Sequence, residues 1–303
     1  MRIKNILITG AAGFIGRQLV NKLEEYDVKI FQIDDLSQDP LIEPHDNLIK
    51  DNVQNIKKEF LLDNEIDSVV HLAAKKNVKD SFFNLNNSVE NYEMTLKLYG
   101  ACVESNVRNF YIASTCEIYG FQNENLNENS KFIPHSPYAV SKVANEYLSD
   151  VYMMLKEDFK VTSLNFFNTY GPSEGADAVI PNFISKAVNN EVIKIEGDGT
   201  QARDFTYIDD TINLLINLIL SDKYYRSVNI GSGKDVSVNE LLNLVKKNFK
   251  DVKYEYIEKR PNEIKTFIAD NSLIIKEFNF KLNISIEEGF KKVVDAYIKN
   301  NTK

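Results

Sequence analysis

The feature that most restricts what this chain can fold into is the run Gly10-Ala11-Ala12-Gly13-Phe14-Ile15-Gly16. It lies between the aliphatic stretch Ile6-Leu7-Ile8 and a segment in which Phe14, Leu19, Val20 and Leu23 recur at helical spacing. A continuous branched or aliphatic run suits a strand buried on both faces, and the helical recurrence suits a helix packed on it. Glycines between them permit positive φ and close approach of a ligand, while the first N–H groups and the positive dipole end of the helix favour an anion. A diphosphate is the expected occupant. The spacing is G-x-x-G-x-x-G rather than the commoner G-x-G-x-x-G, so the turn alone does not name a ligand. A second predicted strand, residues 28–33, ends on Asp34 and Asp35, about twenty residues past the glycines. A carboxylate there can hydrogen-bond both ribose hydroxyls of an adenosine and repels a 2′-phosphate, which points to NAD rather than NADP.

Further strands are predicted at 47–50, 68–72, 110–113 and 161–167, with helices at 53–64, 86–105 and 138–156. This alternation implies a Rossmann-type, doubly wound parallel α/β sheet over residues 1–170. Beyond Pro172 the pattern shortens, and residues 171–303 are expected to form a smaller α/β substrate-binding region, with strand 227–230 returning to the main sheet. Two cysteines, Cys102 and Cys116, exclude a disulfide framework and suit a reducing cytosol. A formal net charge of −8 offers no basic excess for nucleic acid. The start of the chain lacks a signal-peptide pattern, and the most apolar later run, 212–220, is broken by Asn213 and Asn217 and is too short to span a bilayer. A soluble, cytoplasmic protein is expected. His45, His71 and His135 lack ligand spacing, so no metal site is predicted.

The second informative stretch is Tyr138-Ala139-Val140-Ser141-Lys142. On a helix the tyrosine and lysine share a face, and a nearby ammonium favours the phenolate, making the phenol a usable acid/base. Ser114 and Thr115, at the carboxyl end of strand 110–113, are expected in the same cleft, where a hydroxyl can hold the oxygen that Tyr138 deprotonates.

Together with these, His71-Leu72-Ala73-Ala74, Tyr119-Gly120, Ser136-Pro137, residues 167–172 (Phe-Asn-Thr-Tyr-Gly-Pro), residues 197–205 (Gly-Asp-Gly-Thr-Gln-Ala-Arg-Asp-Phe), Asp209-Asp210, residues 229–233 (Asn-Ile-Gly-Ser-Gly), Arg260-Pro261 and Glu288-Gly289 follow in order. This series, covering essentially the whole chain, resembles the extended short-chain dehydrogenase/reductases that act on nucleotide sugars. The resemblance implies that Gly10, Gly13, Phe14, Ile15 and Gly16 hold the NAD pyrophosphate, Asp34 and Asp35 the adenosine ribose, and Asp51 the adenine. It places Ala73, Ala74, Lys76, Asn91 and Ser114 along the rest of the cofactor, and lets Lys142 bond the nicotinamide ribose. Thr115, Asn168, Ile180, Arg203 and Arg260 match substrate positions, and arginine forks suit phosphate oxygens. Asn165 stands where the family usually has arginine, and Asn262-Glu263 replaces the usual Gly-Asp. The family commonly dimerises through two helices, here 86–105 and 138–156.

The resemblance also implies a shared first step, oxidation at C4 of the sugar by Thr115, Tyr138, Lys142 and NAD. The fate of the resulting 4-keto sugar turns on residues 115–117. Dehydratases of this kind read Thr-Asp-Glu, whereas this chain reads Thr115-Cys116-Glu117, which keeps a base and loses the dedicated acid. The expected activity is a 4-epimerase on a sugar nucleotide, most readily a UDP sugar, acting by non-stereospecific return of hydride. The alternatives are a 4,6-dehydratase or decarboxylase using Glu117 as base, and an NAD-binding sensor.

Overall fold

The computed structural model describes residues 3–37, 45–122, 125–221, 223–259 and 265–301. The first half contains β1 (Asn5–Thr9), α1 (Phe14–Leu23), β2 (Lys29–Asp34), β3 (Leu48–Lys50), α2 (Lys58–Asp63), β4 (Ser68–His71), α3 (Val78–Ser81), α4 (Asn86–Val103), β5 (Asn109–Thr115), α5 (Pro137–Leu155) and β6 (Lys160–Phe166). Then come β7 (Asn168–Tyr170), α6 (Val179–Val188), β8 (Ile193–Glu196), β9 (Ala202–Tyr207), α7 (Ile208–Ile219), β10 (Ser227–Ile230), β11 (Asp235–Ser237), α8 (Val238–Asn248), β12 (Tyr254–Ile257), β13 (Thr266–Phe267), α9 (Ser272–Phe278) and α10 (Ile286–Asn301).

Among the described residues the large sheet has seven strands in the order β10-β6-β5-β4-β1-β2-β3. The pairs from β3 through to β6 are parallel. The order reverses between β1 and β4, the switch point where ligands of such sheets bind. Its central strands are buried along their length, as Ile6, Leu7, Ile8, Val69 and Val70 require. One core packs Leu7, Ile33, Val69, Phe110 and Val161 against Leu98, Tyr99 and Cys102 of α4.

The predicted helix 53–64 is interrupted. A 3-10 turn, Val53–Asn55, is capped by the Asn52 side chain, Ile56 and Lys57 are extended, and α2 begins at Lys58. The Asn52 cap offers the backbone an alternative to continuing the helix, which periodicity alone does not show.

The chain divides into two compact units, residues 1–122, 128–166 and 212–229 in one and 123–127, 167–211 and 230–303 in the other. In the second unit β9 pairs with β7, β11 and β13, and β8 pairs with β12. Buried Asp204 organises it: one carboxylate oxygen accepts from the N–H and hydroxyl of Ser232, the other from the N–H of Gly233 and Ala269. Asp210 accepts from the N–H groups of Asn283 and Ile284 and from the Asn283 amide.

Candidate active site

The glycine turn is built as its residue types require. Gly10 has φ +70°, and a Cβ there would lie 2.6 Å from the Ala73 nitrogen. A Cβ on Gly16 would lie 2.1 Å from the Gly10 carbonyl oxygen. Gly13 is the N-cap of α1 and supplies no side-chain hydrogen bond, so the first helical N–H groups, at Phe14, Ile15 and Gly16, are left to a ligand or solvent.

At the tip of β2, one Asp34 oxygen accepts from the Ala12 N–H at 3.0 Å and the other from the Leu36 N–H at 2.9 Å. Burial nonetheless raises its pKa. Asp35 accepts from the Ser37 N–H and lies 3.9 Å from the Lys75 ammonium. Asp51 is exposed; its N–H donates to the Asp34 carbonyl, and its carboxylate accepts from Asn52 and Asn55. Ala73 and Ala74 are half-buried just past β4, and Lys76 is exposed. Asn91 on α4 is buried; its amide accepts from the Lys75 N–H at 2.8 Å and donates to the Lys75 carbonyl at 3.1 Å, clamping the segment that carries the alanines.

Thr115, Tyr138 and Lys142 come together, all less than a tenth exposed. Ser136 caps α5 by accepting from the Ala139 N–H, and Pro137 opens the helix, fixing the start from which Tyr138 and Lys142 project. The Thr115 hydroxyl lies near enough to the Tyr138 phenol to draw its proton affinity down. Thr115 also caps the 3-10 turn Cys116–Ile118, accepting from the Glu117 N–H at 3.3 Å. The Lys142 ammonium donates to the Ala113 carbonyl at 2.7 Å and lies 5.8 Å from the centre of the Tyr138 ring.

The electrostatics correct one expectation. Tyr138 is pushed well up rather than down: burial dominates, and the nearby Cys116 and Glu117 add to it, while the Thr115 hydroxyl pulls back. Lys142 is itself lowered to about 8 by burial, with Glu146 opposing. Desolvation of both groups outweighs what helical spacing alone implies.

A buried polar chain beneath the site has no signature in the sequence. Thr9 meets His71 Nδ1 at 2.7 Å, His71 Nε2 meets Thr95 at 3.3 Å, and the Asn145 amide donates to Thr95 at 2.9 Å. It links the residue before the glycine turn to α5, and burial lowers His71 to about 3, keeping it neutral. Asn165, in the position of the family's arginine, donates to the Tyr119 hydroxyl, Ser227 and Asn229. In the second unit, Ile180 is buried and Asn168 half-buried, and Arg203 donates to the Ala202 carbonyl and packs over Phe267. Arg260, Asn262 and Glu263 lie outside the described residues.

These residues fit a dinucleotide. Added Cβ atoms would close the cradle at Gly10 and Gly16, and the Ser114 hydroxyl, at the carboxyl end of β5, is buried without a hydrogen-bond partner among the described residues. Among the described residues no group of three or more His, Cys, Asp or Glu could hold a metal, and no helix is long and apolar enough to cross a membrane.

Residues 6–231 match the model of the NAD dependent epimerase/dehydratase family. The chain is 34% identical to a UDP-glucuronate 4-epimerase of Thermodesulfobacterium geofontis, over 95% of this chain and 94% of the relative. Among solved structures it is similar to TunA, an NAD-dependent NDP-hexosamine 5,6-dehydratase of tunicamycin biosynthesis, with TM-score 0.92, 32% identity and 98% of both chains covered. It is also similar to a UDP-N-acetylglucosamine 4-epimerase from Methanobrevibacter ruminantium, with TM-score 0.89, 32% identity and 99% and 100% of the two chains covered. With its motifs in order, its strand order and its Tyr-Lys helix alongside these matches, the chain belongs to the NAD dependent epimerase/dehydratase family and is an extended short-chain dehydrogenase/reductase enzyme whose cofactor is NAD.

Proposed function

We propose that the chain oxidises C4 of a nucleotide sugar and then eliminates water from the ketone with Glu117 as base, acting as a nucleotide-sugar dehydratase. The observation that supports this over epimerisation is the placement of Glu117 and Cys116 beside Tyr138, where both oppose loss of the phenol proton. A carboxylate there hinders the oxidation it adjoins, and has a chemical use when a second proton must be taken.

In this reading Thr115 holds the C4 oxygen and Tyr138 accepts its proton. Bound NAD would supply the acceptor for the C4 hydride and, once water is lost, its return to C6 or to C4, so that the cofactor ends as it began. Lys142 gives the positive charge that favours the phenolate. The ketone acidifies C5–H; Glu117 takes that proton, and the same carboxyl can return it to the departing C6 oxygen. Loss of water then balances without an acid at position 116. The relatives' substrates, UDP-glucuronate, UDP-N-acetylglucosamine and an NDP-hexosamine, support a UDP sugar. Gly10, Gly13, Phe14, Ile15, Gly16, Asp34, Asp35, Asp51, Ala73, Ala74, Lys76 and Ser114 are the proposed cofactor contacts, with Asn91 acting through the Lys75 backbone. Asn168 and Arg203 are the proposed nucleotide contacts.

The second reading is the 4-epimerase expected from the sequence, supported by the two epimerase relatives. Glu117→Gln separates them. The proposed dehydratase loses turnover by about 100-fold or more, and the wild-type product shows a new carbon–carbon double bond or a 6-deoxy group by NMR. A variant within a few-fold of wild type that forms a C4 epimer would establish the epimerase instead.

We also propose a homodimer through α4 and α5. Val140, Tyr147, Val151 and Met154 recur at helical spacing along α5 and are exposed, as is Val89 on α4. Val151→Glu with Met154→Glu is expected to give a monomer in analytical ultracentrifugation where the wild type sediments as a dimer; unchanged sedimentation excludes this face.

A further inference from the structure

Glu146 lies on α5, one helical turn beyond Lys142, and is 2% exposed. One carboxylate oxygen accepts from Arg226 at 2.9 Å, and the other is buried with no hydrogen-bond partner among the described residues. Arg226 is held on three further sides: it donates to Asp150 at 2.7 Å, to the Glu146 carbonyl at 2.7 Å and to Ser163 at 3.5 Å. A buried carboxylate with only one of its oxygens bonded is an expensive arrangement unless its charge acts on something nearby.

The groups around it identify what that is. The field of Glu146 reaches Tyr99 on α4 and Tyr119 after the 3-10 turn. Neither phenol ionises near neutral pH, since burial pushes both far up. From β4, His71 senses Lys142 and is neutral. Arg226 and Asp150 form the outer pair. The remaining partner is the Lys142 ammonium, whose only hydrogen bond among the described residues is to the Ala113 carbonyl.

We propose that Glu146 is a positioning residue that keeps Lys142 protonated, and that Arg226, braced by Asp150, holds the Glu146 carboxylate in place. The role rests on reading Lys142 as part of the reaction centre. Its sign is fixed. A carboxylate favours the charged lysine, so removing it lets the ammonium lose its proton at lower pH and brings down the alkaline limb of the activity profile.

The test is the Glu146→Gln variant, which keeps the shape and leaves Arg226 its contacts with Asp150 and the Glu146 carbonyl. Lys142 is followed by NMR with isotope-labelled lysine, its resonance identified by its loss in Lys142→Arg. The titration midpoint is expected to fall measurably, in the direction that loss of an opposite charge on the same helix face requires. Glu146→Asp, which withdraws the charge by one methylene, should fall less, and it carries the test if the glutamine variant does not fold. The alkaline limb of kcat/KM should move with the midpoint. A midpoint unchanged in both variants, even with lower turnover or Tm, makes Glu146 a structural residue and overturns the proposal. A shifted midpoint in a protein that turns over no nucleotide sugar leaves the tuning standing and removes the proposed reaction.

Discussion

Tyr138→Phe is expected to lower turnover of a nucleotide sugar by about 100- to 10,000-fold, the contribution of a positioned proton acceptor, while NAD still binds. The substitution keeps the buried ring and removes one hydroxyl. Thr115 retains its hydrogen bond from the Glu117 N–H, so no buried group is orphaned and the fold should hold. Calorimetry with NAD and a sugar-nucleotide assay, run on the same preparation, check the two halves of the statement. Near-normal turnover would remove the phenol from the reaction. Lost NAD binding would mean that the phenol hydroxyl helps hold the cofactor and does more than move a proton.

Gly16→Ala should be a severely damaging small change at the cofactor turn. Its Cβ would be 2.1 Å from the Gly10 oxygen and 3.0 Å from the Ala11 Cα, and both are backbone atoms that cannot rotate away. Either α1 moves off β1 or the turn opens, and either movement spoils the N–H groups offered to the pyrophosphate. Overpacking of this kind costs about 1–3 kcal/mol or more, so both a lower Tm and loss of NAD affinity are expected. Gly100→Ala is the opposite control. It lies inside α4 with only the Tyr152 hydroxyl, 3.9 Å away, near its added methyl. It should stabilise by about 0.5–1 kcal/mol through helix propensity. Thermal melts of the two variants with opposite signs would confirm the geometry of the turn. A Gly16→Ala protein that melts and binds NAD like the wild type would contradict it.

The first half of the molecule was legible because each element carries its own signal. Several strands of the large sheet carry short apolar runs, such as Ile6-Leu7-Ile8, Val69-Val70 and residues 110–113, and α4 and α5 are long enough for helical periodicity to show. The strands of the second unit were harder to read: β7, β11 and β13 have three, three and two residues. They are held by long-range partners such as Asp204 rather than by local pattern. The reacting residues were legible as types and spacings, since Tyr138 and Lys142 do share a buried face. Their proton affinities were not, because desolvation depends on what the rest of the chain packs around them. Asn91 could be placed near the cofactor, but its grip on the Lys75 backbone could not be foreseen, and the Thr9-His71-Thr95-Asn145 chain joins four segments far apart in sequence.

The way the chain threads its two units decides how a gene for this protein can be dissected. Ending translation near residue 170 would strip away 212–229, which carries most of α7 and three residues of β10. The outer side of β6 would then be an unpaired row of N–H and carbonyl groups open to other chains. A soluble nucleotide-binding fragment therefore has to splice the later segment back in through an engineered loop, and a plain C-terminal deletion is expected to aggregate.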